Sequence, residues 1–235
     1  MNYYNTAMAT AGKVFRIIDN VDLGTIAAKL KGYRRETVFE EEGNQIPLQT
    51  EVKDLSIRGN MLQGVYSQDT VTYITHHGHR TAMPRTQEIP FVFVQEKSRT
   101  LLIVVEKKLV ANNVANRLSE ALFITSGYIT EVRIPPETLR EFHERNPEDT
   151  KVIFFDEVDI PNVSKLSLYG RGLLNTAIYN DYLKHGKIWY IVVTARRYNS
   201  VLGITRHGIV TVFNNIDLRD FITYVVNEVF PLIPS

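Results

Sequence analysis

Cysteine is absent from all 235 residues. That excludes disulfides, thiolate catalysis and cysteine-based zinc sites, and it lends no support to secretion. A surplus of one charge is missing as well: 27 Lys and Arg stand against 26 Asp and Glu, a net charge of +1. No global basic field therefore marks a polyanion binder, and any cationic surface has to be local. Long apolar runs are also lacking. The longest, residues 101–105 and the neighbourhood of residues 191–193, fall far short of the ~20 residues a membrane helix needs. The opening MNYYNTAMATAGKVFRIID has neither the basic n-region nor the apolar h-region of a signal peptide. The expectation is a soluble protein, cytoplasmic or otherwise intracellular, with no membrane partner.

What is present fits an ordinary globular chain, long enough for one large domain or two small ones. Residues 12–18 read as a strand, and residues 23–30 as a helix that Asp22 is placed to cap. Residues 31–50 are polar and read as irregular, with Glu40, Glu41 and Glu42 ahead of Gly43. Strand-like segments follow at residues 51–58, 61–67 and 70–75, with Gly59-Asn60 and Gln68-Asp69 as hairpin turns. The run IPFVFVQEKSRTLLIVVEKK reads as a buried hairpin with the charged tip Glu96-Lys97-Ser98-Arg99. Residues 109–122 show helical spacing. Leu109, Val110, Val114, Leu118, Ala121 and Leu122 share one stripe, and Asn112, Asn113, Asn116 and Arg117 lie largely outside it.

Further along, strands are expected at residues 128–134, 151–155, 188–195 and 209–213. Helices are expected at residues 136–144, 173–184 and 218–230. Two blocks, IPFVFV…LLIVVEKKLVANNVANRLSEALF and IWYIVV…GIVTVFNNIDLRDFITYVVNEVF, each read strand, strand, helix. The fold class is therefore α+β: mostly antiparallel sheets with helices packed on one side, arranged as two strand–strand–helix halves. The boundary falls around residues 125–127, giving halves 1–125 and 126–235, or one continuous domain.

The stretch ITHHGHRTAMPRT (residues 74–86) holds the densest functional chemistry. If the strand from Val71 continues through it, His77 and His79 share a face. They then fit a transition metal, given a third ligand such as Asp69 or Glu88. Alternatively His76, His77, His79, Arg80 and Arg85 present donors to phosphate oxygens. A solvated polar loop is the third reading. Elsewhere, Asp156, Glu157 and Asp159 follow a strand, where carboxylates either hold Mg²⁺ or end the strand in water. Tyr169–Gly172 precedes a helix whose amides suit an anion. No Gly-rich nucleotide motif is complete, and no serine stands in a G-x-S-x-G context.

Basic residues cluster three more times. KLKGYRRE gives Lys31, Arg34 and Arg35 beside Tyr33, TARRYNS gives Arg196 and Arg197 beside Tyr198, and ITRHG gives Arg206. Arginine with an interleaved tyrosine holds phosphates and stacks on bases.

A strand ending in Glu106-x-Lys108 ahead of a helix resembles the Glu-x-Lys half of the PD-(D/E)xK nuclease family. In that resemblance the carboxylate holds a divalent cation and the lysine helps activate water. The likeness covers fewer than a dozen residues, and residues 90–94 lack the family's preceding aspartate.

The leading expectation is a non-enzymatic module that binds DNA or RNA, with no catalytic residue and no cofactor. Lys31, Arg34, Arg35, His77, His79, Arg80, Arg85, Arg196, Arg197 and Arg206 would contact the nucleic acid. The alternatives are an assembly or adaptor subunit, including a homodimer, and a metal-dependent nuclease or phosphoesterase.

Overall fold

The computed structural model describes residues 10–19, 21–96 and 99–234. Strand β1 (Ala11–Ile17) leads into helix α1 (Leu23–Leu30). Next come β2 (Arg34–Glu41), β3 (Asn44–Arg58), β4 (Met61–His76), β5 (His79–Glu96) and β6 (Arg99–Val104). The chain continues through α2 (Lys108–Phe123), β7 (Ile129–Glu131), α3 (Pro136–Arg145), β8 (Thr150–Asp156) and β9 (Leu166–Tyr169). It closes with α4 (Ala177–His185), β10 (Lys187–Ala195), β11 (Ser200–Thr205), β12 (Ile209–Val212) and α5 (Leu218–Tyr224). The class is α+β, dominated by antiparallel sheet. Among the described residues, no helix is long and apolar enough to cross a membrane. Lys97 and Ser98, half of the expected charged hairpin tip, lie outside the described residues.

Two compact units share the chain. The meander unit comprises Arg16–Val104 and Asn112–Thr130; the second comprises the described parts of Met1–Phe15, Val105–Ala111 and Glu131–Ser235. The units thus alternate along the sequence instead of dividing it at one point.

In the meander unit β2, β3, β4, β5 and β6 pair in sequence order, each antiparallel to the next. Its local signals are plain. The Asp22 carboxylate caps α1, accepting from the Thr25 amide (2.9 Å) and hydroxyl (2.7 Å). Gly59-Asn60 turns the chain between β3 and β4 as its sequence predicts.

Residues 31–50 depart from the irregular expectation. They hold β2 and the start of β3, a hairpin closed by Glu42 and Gly43, both at positive φ (49° and 81°). That is the type I′ geometry whose twist suits a two-residue hairpin. Gln68-Asp69 is not a turn either, because β4 runs straight through it to His76. Side chains here are exposed or at most half-buried, with Phe39, Ile46 and Leu48 the half-buried apolar positions of the first hairpin, so the apolar alternation that marks a strand against a core is weak.

The root of the meander is the opposite. Leu62, Tyr66, Ile89, Phe91 and Phe93 are buried on one face of β4 and β5, and Val65, Val92 and Val94 on the other. Gly64 pairs with Phe91, and a Cβ there would stand 2.6 Å from the Phe91 ring and 2.8 Å from Leu55. The missing side chain is therefore filled by a neighbouring ring.

In the second unit the order is β1, β12, β11, β10, β8, β9. The expected single helix over residues 218–230 ends early. α5 gives way to a π turn (Val225–Val229) and a 3-10 turn (Phe230–Leu232) containing Pro231, which has no N–H to donate. Leu218, Phe221, Val225 and Val229 stay buried throughout, so the apolar stripe survives the change of winding. His143 of α3 is fully buried, with its Nδ1 2.8 Å from the Thr150 hydroxyl and its ring edge-on to Tyr179 at 5.0 Å. Burial pushes its pKa below the usual 6.5, so the folded protein holds it neutral.

Two outcomes follow. Gly64→Ala should destabilise the protein by about 1–3 kcal/mol in urea denaturation, the usual range for overpacking. His143 makes stability fall as pH drops through about 6.5 and below, because the unfolded chain takes up a proton that the folded one refuses. Urea midpoints measured from about pH 7.5 to about 5.5 should show that slope, and His143→Phe should flatten it.

Candidate nucleic-acid interface

Beyond its buried root, the β4–β5 pair continues as a two-stranded ribbon. Its register runs unbroken from Asp69↔Thr86 to His76↔His79, roughly 23 Å at the rise of a strand. The tip is closed by His77 and Gly78, with φ of 47° and 81°. Asn, Asp and His are the side chains that best tolerate this left-handed region, and glycine follows as a type I′ turn requires. Hence His77 is a turn residue and does not share a strand face with His79. The partner of His79 across the ribbon is His76. Among the described residues no group of three His, Cys, Asp or Glu is placed to hold a metal ion.

Directly paired residues share a face, so the register sorts the ribbon. One face carries His76 with His79, Ile74 with Thr81, Thr72 with Met83, Thr70 with Arg85 and Gln68 with Gln87. The other carries Thr75 with Arg80, Tyr73 with Ala82 and Asp69 with Thr86. On this second face the Arg80 guanidinium lies 3.8 Å from the Tyr73 ring centroid, and the Tyr73 hydroxyl donates to Glu41 at 2.8 Å. That hydrogen bond raises the Tyr73 pKa and joins the ribbon to the acidic end of the β2–β3 hairpin. Where the two hairpins diverge, the Asp69 carboxylate accepts from the Gln49 amide (2.9 Å) and the Thr86 hydroxyl (2.7 Å). One side chain thereby ties β3, β4 and β5 together.

The His76–Arg85 face leads toward α2. Gln68 lines an open polar cavity of about 370 Å³ with Asn113, Asn116, Arg117 and Glu120. The Arg117 guanidinium donates to Glu120 at 3.0 Å. Arg35 stands in the same cross-strand row, paired to Thr50 and through it to Gln68. Beneath them burial pushes the Tyr66 phenol up to about 12. Amides and guanidinium groups are the side chains that read base edges, and Arg85 adds a cation that meets no carboxylate among the described residues. Gln68, Asn113, Asn116 and Arg117 were not among the residues expected at a site. The polar side of the residue 109–122 stripe was the signal for the last three, and Gln68 had been read as part of a turn.

The remaining expected residues are placed differently. Lys31 caps the end of α1 and is exposed. The Arg34 guanidinium is taken up by Glu36 at 2.7 Å. In the second unit, Arg196 and Arg197 lie on a 3-10 turn between β10 and β11, and Arg196 is held by Asp149 at 2.5 Å. Arg206 is 7% exposed and bonds Asp156 (2.7 Å) and Glu157 (3.1 Å), while Lys187 also meets Glu157 at 2.8 Å. Asp156 and Glu157 are thus engaged by cations of their own unit, and Asp159 is hydrogen-bonded to the His185 ring at 2.8 Å.

Tyr169–Gly172 precedes a three-residue 3-10 turn, Leu173–Asn175, and α4 starts later under a Thr176 cap. The Glu-x-Lys resemblance meets a different geometry: β6 stops at Val104, Glu106 accepts from the Lys107 amide (2.8 Å), and Lys108 opens α2. Comparison with known proteins finds no matching family model and no matching curated relative.

Replacing the Asp69 carboxylate should loosen the fork while leaving the root intact. In Asp69→Ala the Gln49 amide should exchange its hydrogen markedly faster, with the Phe91 and Phe93 amides much less affected, as hydrogen-exchange mass spectrometry or NMR will read.

Proposed function

We propose that the protein binds nucleic acid through the meander unit, with the His76–Arg85 face of the β4–β5 ribbon as its contact surface. The observation that carries this reading is the ribbon itself. It is a two-stranded arm exposed on both faces, and Arg85, His76 and His79 share one of them. The major groove of B-form DNA, about 12 Å wide, admits such a ribbon, whereas the deep, narrow major groove of A-form RNA does not. Duplex DNA is therefore the preferred ligand.

In this reading the helices lie on one side of the sheet, so that Asn113, Asn116 and Arg117 of α2 extend the contact surface. Arg80 belongs to the opposite face, beside Tyr73 and Glu41. Arg34, Arg196 and Arg206 serve their own carboxylates. The protein acts by binding, with no catalytic residue or cofactor assigned.

Fluorescence anisotropy with labelled duplex DNA, single-stranded DNA and duplex RNA over a salt series tests the proposal. Duplex DNA should bind most tightly, and affinity should fall steeply with salt. Arg85→Ala should weaken binding and lower the salt slope by about one, the signature of one lost phosphate contact. Arg80→Ala should leave the slope unchanged. No binding at low salt, salt-independent binding, or an Arg85→Ala variant that binds as well as the parent would overturn the proposal.

A further inference from the structure

Strand β2 is the outer strand of the meander, with β3 on one side and, among the described residues, no strand on the other. Its sequence, RRETVFEE, opens basic and closes acidic. All of it except Phe39 and Glu41 is exposed, and Val38 is 62% exposed. An uncovered strand edge is a template for another strand. What the edge accepts is set by which backbone groups point outward and by the order of the charges.

The β2–β3 hairpin fixes the first condition. Its two-residue turn is flanked by the pair Glu41↔Asn44, and the residues flanking such a turn exchange both backbone hydrogen bonds. Thr37 and Phe39, in step with Glu41, therefore direct their amides and carbonyls to β3. Arg34, Glu36, Val38 and Glu40 direct theirs outward. A symmetric antiparallel partner has a two-fold axis through one residue and its own copy. Only registers that match outward groups with outward groups are then available, and they differ by slips of two in the pairing.

Charge order selects among them. With the axis at Thr37, Arg34 faces Glu40 of the second copy, and its Glu40 faces Arg34 here. Arg35 lies opposite Phe39, Glu36 opposite Val38, and Thr37 opposite Thr37. Both end pairs are of opposite sign, and each Arg35 meets an aromatic ring. Moving the axis to Val38 sets Glu36 against Glu40 twice, and moving it to Glu36 sets that carboxylate against its own copy. Like charges directly opposite destabilise a sheet.

We infer that β2 is a homodimerisation edge, pairing antiparallel with β2 of a second copy about a two-fold axis at Thr37. Arg34–Glu40 ion pairs at both ends fix the register. The Arg34–Glu36 contact within one chain runs along the same face, so the guanidinium stands between two carboxylates in the dimer. This inference does not rest on the nucleic-acid reading.

Sedimentation velocity of the full chain over a concentration series tests it. The parent should pass reversibly from monomer to dimer. Glu40→Arg should weaken dimerisation by about tenfold or more. Adding Arg34→Glu to Glu40→Arg restores opposite charges across the edge and should recover the dimer. Circular dichroism confirms that these exposed variants fold.

Because the chain has no cysteine, the register can be read directly. Thr37→Cys should form a disulfide dimer under mild oxidation, since directly opposed residues of a pair without mutual hydrogen bonds bring their Cα atoms to about 4.5 Å. Val38→Cys, offset from its own copy by two positions, should cross-link far less. A parent that stays monomeric throughout, a dimer indifferent to Glu40→Arg, or cross-linking through Val38→Cys in preference to Thr37→Cys would overturn the inference.

Discussion

The meander depends on one arrangement: the buried cross-strand pairs Leu62↔Phe93, Gly64↔Phe91 and Tyr66↔Ile89 at the root of β4 and β5. A side-chain period of two makes register an all-or-none matter, because a slip of one residue sends every side chain to the opposite face. The root would then turn Leu62 and Tyr66 away from the cavity that Phe91 fills at Gly64. Everything farther out inherits that choice. The exposed ribbon has little packing of its own to hold a register, yet Arg85 lies opposite Thr70 and His79 opposite His76 because the root has already fixed the count. The Asp69 bridge to Gln49 and Thr86 passes the same register to β3, where the hairpin bearing β2 begins.

This division between root and arm also explains what the sequence disclosed. The apolar runs at residues 90–94 and 101–105 and the Asp22 cap rest on burial or on short-range hydrogen bonding, and each appears where its pattern puts it. The stripe over residues 109–122 is displaced: α2 buries Ala111, Val114, Ala115, Leu118 and Leu122, while Leu109, expected within the stripe, is 77% exposed. The β2–β3 hairpin, the outer half of β5 and the continuity of β4 through Gln68-Asp69 did not announce themselves. A strand exposed on both faces needs no apolar alternation, and its partner rather than its composition makes it a strand. The short strand β9 was missed for a similar reason, since Leu166–Tyr169 is a strand because β8 lies beside it; β11 was missed although it is buried along nearly its whole length.

The site chemistry divides in the same way. The histidine-rich stretch announced itself by composition, but its geometry turned on Gly78. With His77 in the left-handed region, the turn separates it from His79 and matches His79 with His76 instead. Arg206 looked like a surface cation because its partners, Asp156 and Glu157, lie about fifty positions away in the chain. Local sequence cannot say which arginines meet carboxylates after folding. The contrast between Arg85, which meets none among the described residues, and Arg206, which meets two, is a product of tertiary structure.

The alternation of the two units along the chain has a consequence for synthesis. Strands β2 to β6 close on one another through short hairpins, so their loop-closure entropy is small and they can form as soon as they leave the ribosome. In the second unit β1 pairs with β12, joining Ala11 to Thr211. β1 therefore waits for a partner strand that is translated near the end of the chain. During that interval Val14 and Phe15, buried in the finished protein, lack their final cover, and apolar surface left open in this way is the kind that aggregates.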